Sequence, residues 1–108
     1  MTNAQEDVFA VVLGEMQDAG LPHIGCRCPN CVSGRTGYAA SLAVVDARGK
    51  ETAVYLLDAT PDIKYQLDSL ADWLGPHKQR PYRFNPPAAI FLTHAHMGHI
   101  GGLLWPPI

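Results

Sequence analysis

Apolar residues fall into four short runs and one helical stripe. Val8-Phe9-Ala10-Val11-Val12-Leu13 is a continuous apolar run rich in β-branched residues. It predicts a strand buried on both faces and ended by Gly14. Tyr38 to Asp46 alternates, with Ala39, Ser41, Ala43 and Val45 on one face and Ala40, Leu42 and Val44 on the other, which predicts a second strand. Ala47-Arg48-Gly49-Lys50 has the composition of a hairpin turn, and Thr52 to Leu57 is the returning strand with Asp58 at its end. Thr60-Pro61-Asp62 then starts a helix: Thr60 can cap, Pro61 suits the first helical position, and Asp62 favours the positive helix end. Ile63, Leu67, Leu70 and Leu74 follow at helical spacing, and Gly75-Pro76 stops the run. Ala88 to Leu92 is the last strand, and a short helix is expected from about Gly98 to Trp105, before Pro106-Pro107.

Two segments lack either period. His77 to Pro87 is a proline-rich loop in which Tyr82, Arg83 and Phe84 form at most a short extended piece, and His77 reads as a surface residue. Gly14 to Gly37 is longer, and a segment of that length stays compact only if something orders it. A bound metal would supply that order.

The 108 residues suit one domain, 1–108, and no internal repeat divides them. A 47% hydrophobic and 17% charged composition is that of a globular chain. The net charge of −2 without a basic run points away from nucleic acid and anionic membranes. No apolar run approaches the roughly 20 residues of a membrane span. The acidic, polar start Met1 to Asp7 does not look like a signal peptide, so a cytoplasmic location is expected.

Two clusters carry chemistry. His94, His96 and His99 lie within six residues, directly after the strand. In an extended backbone His94 and His96 leave on the same face, and a following helix would bring His99 back towards them. Imidazole is the commonest metal ligand near neutral pH, so the expectation is a divalent metal, zinc or another. Each ligating ring needs a partner on its other nitrogen, and Asp58 is either that partner or an ordinary strand-end aspartate. Cys26, Cys28 and Cys31 are the only cysteines; their spacing suits convergence on one structural zinc rather than a disulfide framework. A closed zinc shell needs four ligands; the fourth is either His23 or a histidine beyond the end of this chain.

These residues resemble the metallo-β-lactamase fold hydrolases. The match is to the signature His-x-His-x-Asp-His, here His94-Ala95-His96-Met97-Gly98-His99, with Ile90-Phe91-Leu92-Thr93 before it and Ile100-Gly101-Gly102-Leu103 after. Leu13-Gly14, Gly20, Pro22 and Gly25-Cys26-x-Cys28-x-x-Cys31 resemble the branch containing the phosphodiesterase of the bacterial phosphonate pathway and pyrroloquinoline quinone biosynthesis protein B. Leu56-Leu57-Asp58-Ala59-Thr60-Pro61-Asp62 resembles the family's strand-end aspartate and the helix that follows. The resemblance implies an α/β fold, the N-terminal half of an αβ/βα sandwich, as a mixed sheet with helices on one face. It implies a metal-dependent hydrolase acting on phosphodiesters through a metal-bound hydroxide, with a small-molecule substrate as its partner and the cysteines on a structural zinc. A redox or cofactor-biosynthesis role of the quinone-pathway type, and a non-catalytic zinc-stabilised module, are the alternatives.

Two departures qualify the resemblance. The family's aspartate is Gly98 here, which removes a ligand of the second metal and predicts at most one strongly held ion in the histidine cluster. The chain also matches only the first half of such a sandwich, so an incomplete, inactive domain is expected, with an uncovered apolar sheet face and possible homo-oligomers.

Overall fold

A computed structural model describes residues 7–17, 19–94 and 97–104. Four strands form one mixed sheet in the order β1 (Val8–Gly14), β2 (Ser41–Asp46), β3 (Ala53–Leu57), β4 (Ala89–Phe91). β1–β2 and β2–β3 are antiparallel, and β3–β4 is parallel. The β2–β3 link is the expected hairpin. The β3–β4 link is a crossover containing α1 (Ile63–Asp68) and α2 (Ala71–Leu74). This is the mixed sheet that the resemblance implies.

The register separates two faces. Phe9 and Val11 lie level with Val45 and Ala43, and these with Val54 and Leu56; Ile90 completes the row beside Leu56. On this face Ala43, Val45, Val54 and Leu56 are buried, and Ile63, Leu70 and Leu74 of the crossover join the same core. The opposite face carries the row Val12, Leu42, Leu57, Phe91 and the row Ala10, Val44, Tyr55, Ala89. No helix among the described residues covers it: Val12 is 66% and Phe91 56% exposed. The continuous apolar run of β1 is therefore not buried on both faces, contrary to the pattern-based expectation. It lies at the edge of the sheet and packs through Phe9, Val11 and Leu13 only.

The helical stripe from Ile63 to Leu74 is also interrupted. The Ser69 hydroxyl donates to the Gln66 carbonyl at 2.6 Å, and the Leu70 amide bonds to Leu67 instead, closing α1 before α2 begins. A serine bonding back onto the preceding turn competes with the helix in this way. Gly75, at φ 76°, ends α2 as expected. Thr60 does not act as a simple cap: its hydroxyl accepts from the Asp62 amide at 3.1 Å and donates to Gln66 Oε1 at 2.6 Å. Gln66 is 1% exposed and gives its own amide to the Ala39 carbonyl at 2.8 Å. The Asp62 carboxylate takes the Ala39 amide at 2.9 Å, so the start of the crossover is tied to the approach to β2. The expected last helix is α3 (Met97–Ile100) continued by a 3-10 turn over Gly101–Leu104; Trp105 lies outside the described residues.

Candidate metal centres

The topology brings both clusters to one end of the sheet. Gly14 pairs with Ser41, Leu42 with Leu57, and Leu57 with Phe91. The cysteine segment leaves β1 and re-enters β2 at this end; Asp58 follows β3 there, and Thr93 and His94 follow β4. In sheets with parallel strands, binding sites collect at the carboxyl ends of those strands.

Asp58 is the hub of the histidine side. It is 5% exposed and has φ 70°, a left-handed backbone that aspartate tolerates better than most residues. Its amide donates to the Phe91 carbonyl at 2.8 Å. Its carboxylate accepts the Thr93 amide at 2.8 Å (Oδ1), the Thr93 hydroxyl at 2.8 Å (Oδ2) and 3.0 Å (Oδ1), and contacts His99 Nδ1 at 2.7 Å (Oδ2). Burial pushes the Asp58 carboxyl up. The Thr93 amide, the His99 ring and the Thr93 hydroxyl together outweigh it and hold the group below the ordinary carboxylate range. The backbone continues the clasp: the Ala59 amide donates to the His99 carbonyl, and the Gly102 amide to the Ala59 carbonyl, each at 2.8 Å.

His94 and His99 stand side by side, ring centroids 4.0 Å apart, and His94 Nδ1 lies 3.0 Å from the Thr93 hydroxyl. With Nδ1 of His99 turned to a carboxylate, Nε2 is the atom through which that ring would ligate, the arrangement usual for metal-binding histidines. His96 lies outside the described residues. The backbone of Gly98 is in α3. Pattern reading places Thr93 in the segment before the first histidine but gives it no role; its hydroxyl, next to His94, is the signal for one.

The cysteine segment is ordered by backbone bonds as well as by any metal. Leu21 and Gly37 exchange amide–carbonyl bonds of 2.8 and 3.0 Å, and Met16 brackets Ala39 by bonding to Tyr38 and Ala40. Within the segment, turns bond Cys26 to His23 and Val32 to Cys28, and Gly25 takes φ 76°. They bring Cys26, Cys28 and Cys31 together with all three Sγ atoms within 4.8 Å of one another. Zinc–sulfur bonds of about 2.3 Å would place tetrahedral sulfurs some 3.8 Å apart, so the group fits an ion after a small contraction. The Cys31 amide, then the Cys26 and Cys31 thiols, draw the Cys28 thiol down to about 7. The His23 amide would lower Cys31 too, but Cys26, burial and Cys28 together raise it. Packed thiols cannot all ionise without a cation. His23 brings its amide rather than its ring to Cys31 Sγ (3.5 Å), while its Nδ1 sits 3.0 Å from the Ile24 carbonyl.

No family model matches the chain. Coenzyme PQQ synthesis protein B of Methylobacterium sp. (strain 4-46) is 36% identical over 102 residues, covering 88% of this chain and 32% of the relative. Its counterpart in Methylobacterium radiotolerans is 34% identical over 100 residues, covering 87% and 32%. Among solved structures, the Zn(2+)-bound PqqB from Methylobacterium extorquens superposes with a TM-score of 0.70 at 31% identity, covering 88% of this chain and 32% of that one. A diphosphatase from the PhnP family superposes with a TM-score of 0.63 at 28% identity, covering 89% and 33%. The chain thus spans about a third of the length of these proteins, and it is a homologue of their N-terminal third with the metallo-β-lactamase fold of that part.

Proposed function

We propose that this chain supplies one side of the metal site of a metal-dependent hydrolase acting on phosphodiesters or related phosphate esters. The observation that carries this reading is the Asp58 carboxylate, which holds His99 through Nδ1 at 2.7 Å beside His94. His94, His96 and His99 would hold the ion, and Asp58 and Thr93 would orient the rings. A divalent ion there would lower the pKa of bound water to about 7 and polarise the bond under attack. The chain's own part is to fix the rings, to keep Asp58 ionised, and to tie the histidine segment to the sheet through Ala59 and Gly102. The PhnP-family diphosphatase among the structural relatives supports hydrolysis at a phosphoryl group. A structural zinc on Cys26, Cys28 and Cys31 would order the segment between β1 and β2.

The identities to PQQ synthesis protein B favour a second reading, a cofactor-biosynthesis role in which the same cluster serves redox chemistry. Metal analysis of the wild type, a Cys26→Ser/Cys28→Ser variant and a His94→Ala/His96→Ala variant, with hydrolysis of bis-p-nitrophenyl phosphate followed in parallel, separates these readings. Each variant should lose one class of bound metal. Metal content unchanged by the histidine substitutions would overturn the hydrolase reading, and iron in the histidine cluster would favour the second.

A further inference from the structure

We infer that Thr93 is a positioning residue that sets the tautomer of His94, so that one buried carboxylate orients both histidines. The argument is a count of protons. An ionised carboxylate offers acceptors only. The Thr93 amide donates to Asp58 Oδ1 at 2.8 Å, and the Thr93 hydroxyl lies 2.8 Å from Oδ2 and 3.0 Å from Oδ1. A hydroxyl has one proton, and against a carboxylate that proton must point to the carboxylate. The same oxygen also contacts His94 Nδ1 at 3.0 Å. Its proton is already committed, so at this contact Thr93 accepts and His94 carries its proton on Nδ1. Neutral His94 therefore has its lone pair on Nε2.

His99 reaches the same state directly. Its Nδ1 is 2.7 Å from Asp58 Oδ2 and must donate to it. The two neighbouring rings are thus held as the same tautomer, His99 by Asp58 itself and His94 by Asp58 through one hydroxyl. One sequence feature and one strand register place that hydroxyl: Thr93 immediately precedes His94, and Leu57 pairs with Phe91, which brings the residue after β3 level with the turn after β4. The consequence for metal binding rests on the function proposed above: a ring held with Nδ1 protonated presents Nε2 to an ion without first moving a proton.

Long-range ¹H–¹⁵N spectra of the metal-free full chain, which report the protonation of each ring nitrogen directly, test this. Wild type should show both His94 and His99 protonated on Nδ1. Thr93→Val keeps the shape and the amide but removes the hydroxyl. It should release His94 to a mixture rich in the Nε2-protonated form while leaving His99 unchanged. Thr93→Ser should restore the wild-type pattern. Zinc titrations alongside should show affinity about 10- to 100-fold weaker in Thr93→Val, the usual cost of losing an outer partner of a ligand, and near wild type in Thr93→Ser. A wild-type His94 protonated on Nε2, or a His94 signal indifferent to Thr93→Val, overturns the inference. If the valine variant does not fold, Thr93→Ala, which also lacks the hydroxyl, takes its place with the same expected release of His94. A tautomer change with unchanged zinc affinity upholds the role of Thr93 and counts instead against the histidines as ligands.

Discussion

Asp58 and His99 are 41 residues apart in the chain and 2.7 Å apart in the fold, joined from carboxylate Oδ2 to ring Nδ1. Asp58→Asn tests the weight of that contact. Asparagine tolerates the left-handed backbone of this position, so the main chain should hold. Its amide, however, offers one acceptor oxygen where the carboxylate has two, and turns donors towards Thr93 or His99. We expect a loss of about 1.5–3 kcal/mol in chemical denaturation, typical for a hydrogen bond to a charged group. Zinc affinity at the histidines should fall by about 10- to 100-fold. Unchanged stability would mean that the clasp does not form in solution.

Gly102 allows the histidine segment to lie against the crossover. A Cβ there would be driven into the Thr60 carbonyl oxygen and would lie 2.9 Å from Ile63 Cγ2. Gly102→Ala should therefore cost about 1–3 kcal/mol, the range for overpacking a close contact. Because the Ala59 amide and the His99 carbonyl share the same clasp, His99 should be displaced with it. Thermal unfolding together with the His99 ring resonances would check both effects; a variant as stable as wild type would argue against the close approach.

Gln66 is a polar residue inside the apolar stripe of the crossover, bonded to Thr60 and to the Ala39 carbonyl. Gln66→Leu matches the stripe better by pattern, yet strands two buried groups. The expected cost is about 1–3 kcal/mol, read from the denaturation midpoint. A stabilised variant would show that the pattern outweighs the buried bonds.

The face lined by Val12, Leu42, Leu57 and Phe91 is uncovered among the described residues, and contiguous exposed apolar surface of this kind drives association. Val12→Lys/Phe91→Lys should raise the concentration at which the 108-residue chain precipitates and reduce its binding of a hydrophobic dye. Equal solubility and dye binding in the two proteins would contradict this.

Arg48 donates to Asp46 through Nε at 3.0 Å, Nη2 at 3.0 Å and its own amide at 3.1 Å. The side-chain hydrogen bonds from Arg48, then its amide, hold the Asp46 carboxyl at about 2, below its ordinary 3.8. A lowered folded-state pKa contributes stability that is present above 3.8 and lost as the pH falls through about 2. The Arg48 side chain is 66% exposed, so the contribution is small and weakens with salt. Carboxyl NMR titration should place the Asp46 midpoint near 2 and move it towards 3.8 in Arg48→Ala, with the amide bond retaining part of the shift. A midpoint indifferent to Arg48 would refute the pair.

Local rules made much of this fold legible. The hairpin around Arg48-Gly49, the stop at Gly75, and the alternation of Ser41, Ala43 and Val45 follow from turn chemistry and strand period, which act over a few residues. The same rules misjudged β1, because an apolar run does not say which neighbours will cover it, and α1, because Ser69 takes the carbonyl that the helix would need.

By itself the sequence determined which residues could ligate a metal: three histidines after a strand and three closely spaced cysteines, types whose chemistry does not depend on the fold. The tertiary structure alone decided how they are held. Asp58, Thr93 and His99 meet because β3 and β4 are parallel neighbours in register and Gly102 lets the chain fold back against Thr60. Contacts between residues that far apart depend on strand order and register, which short-range pattern does not encode.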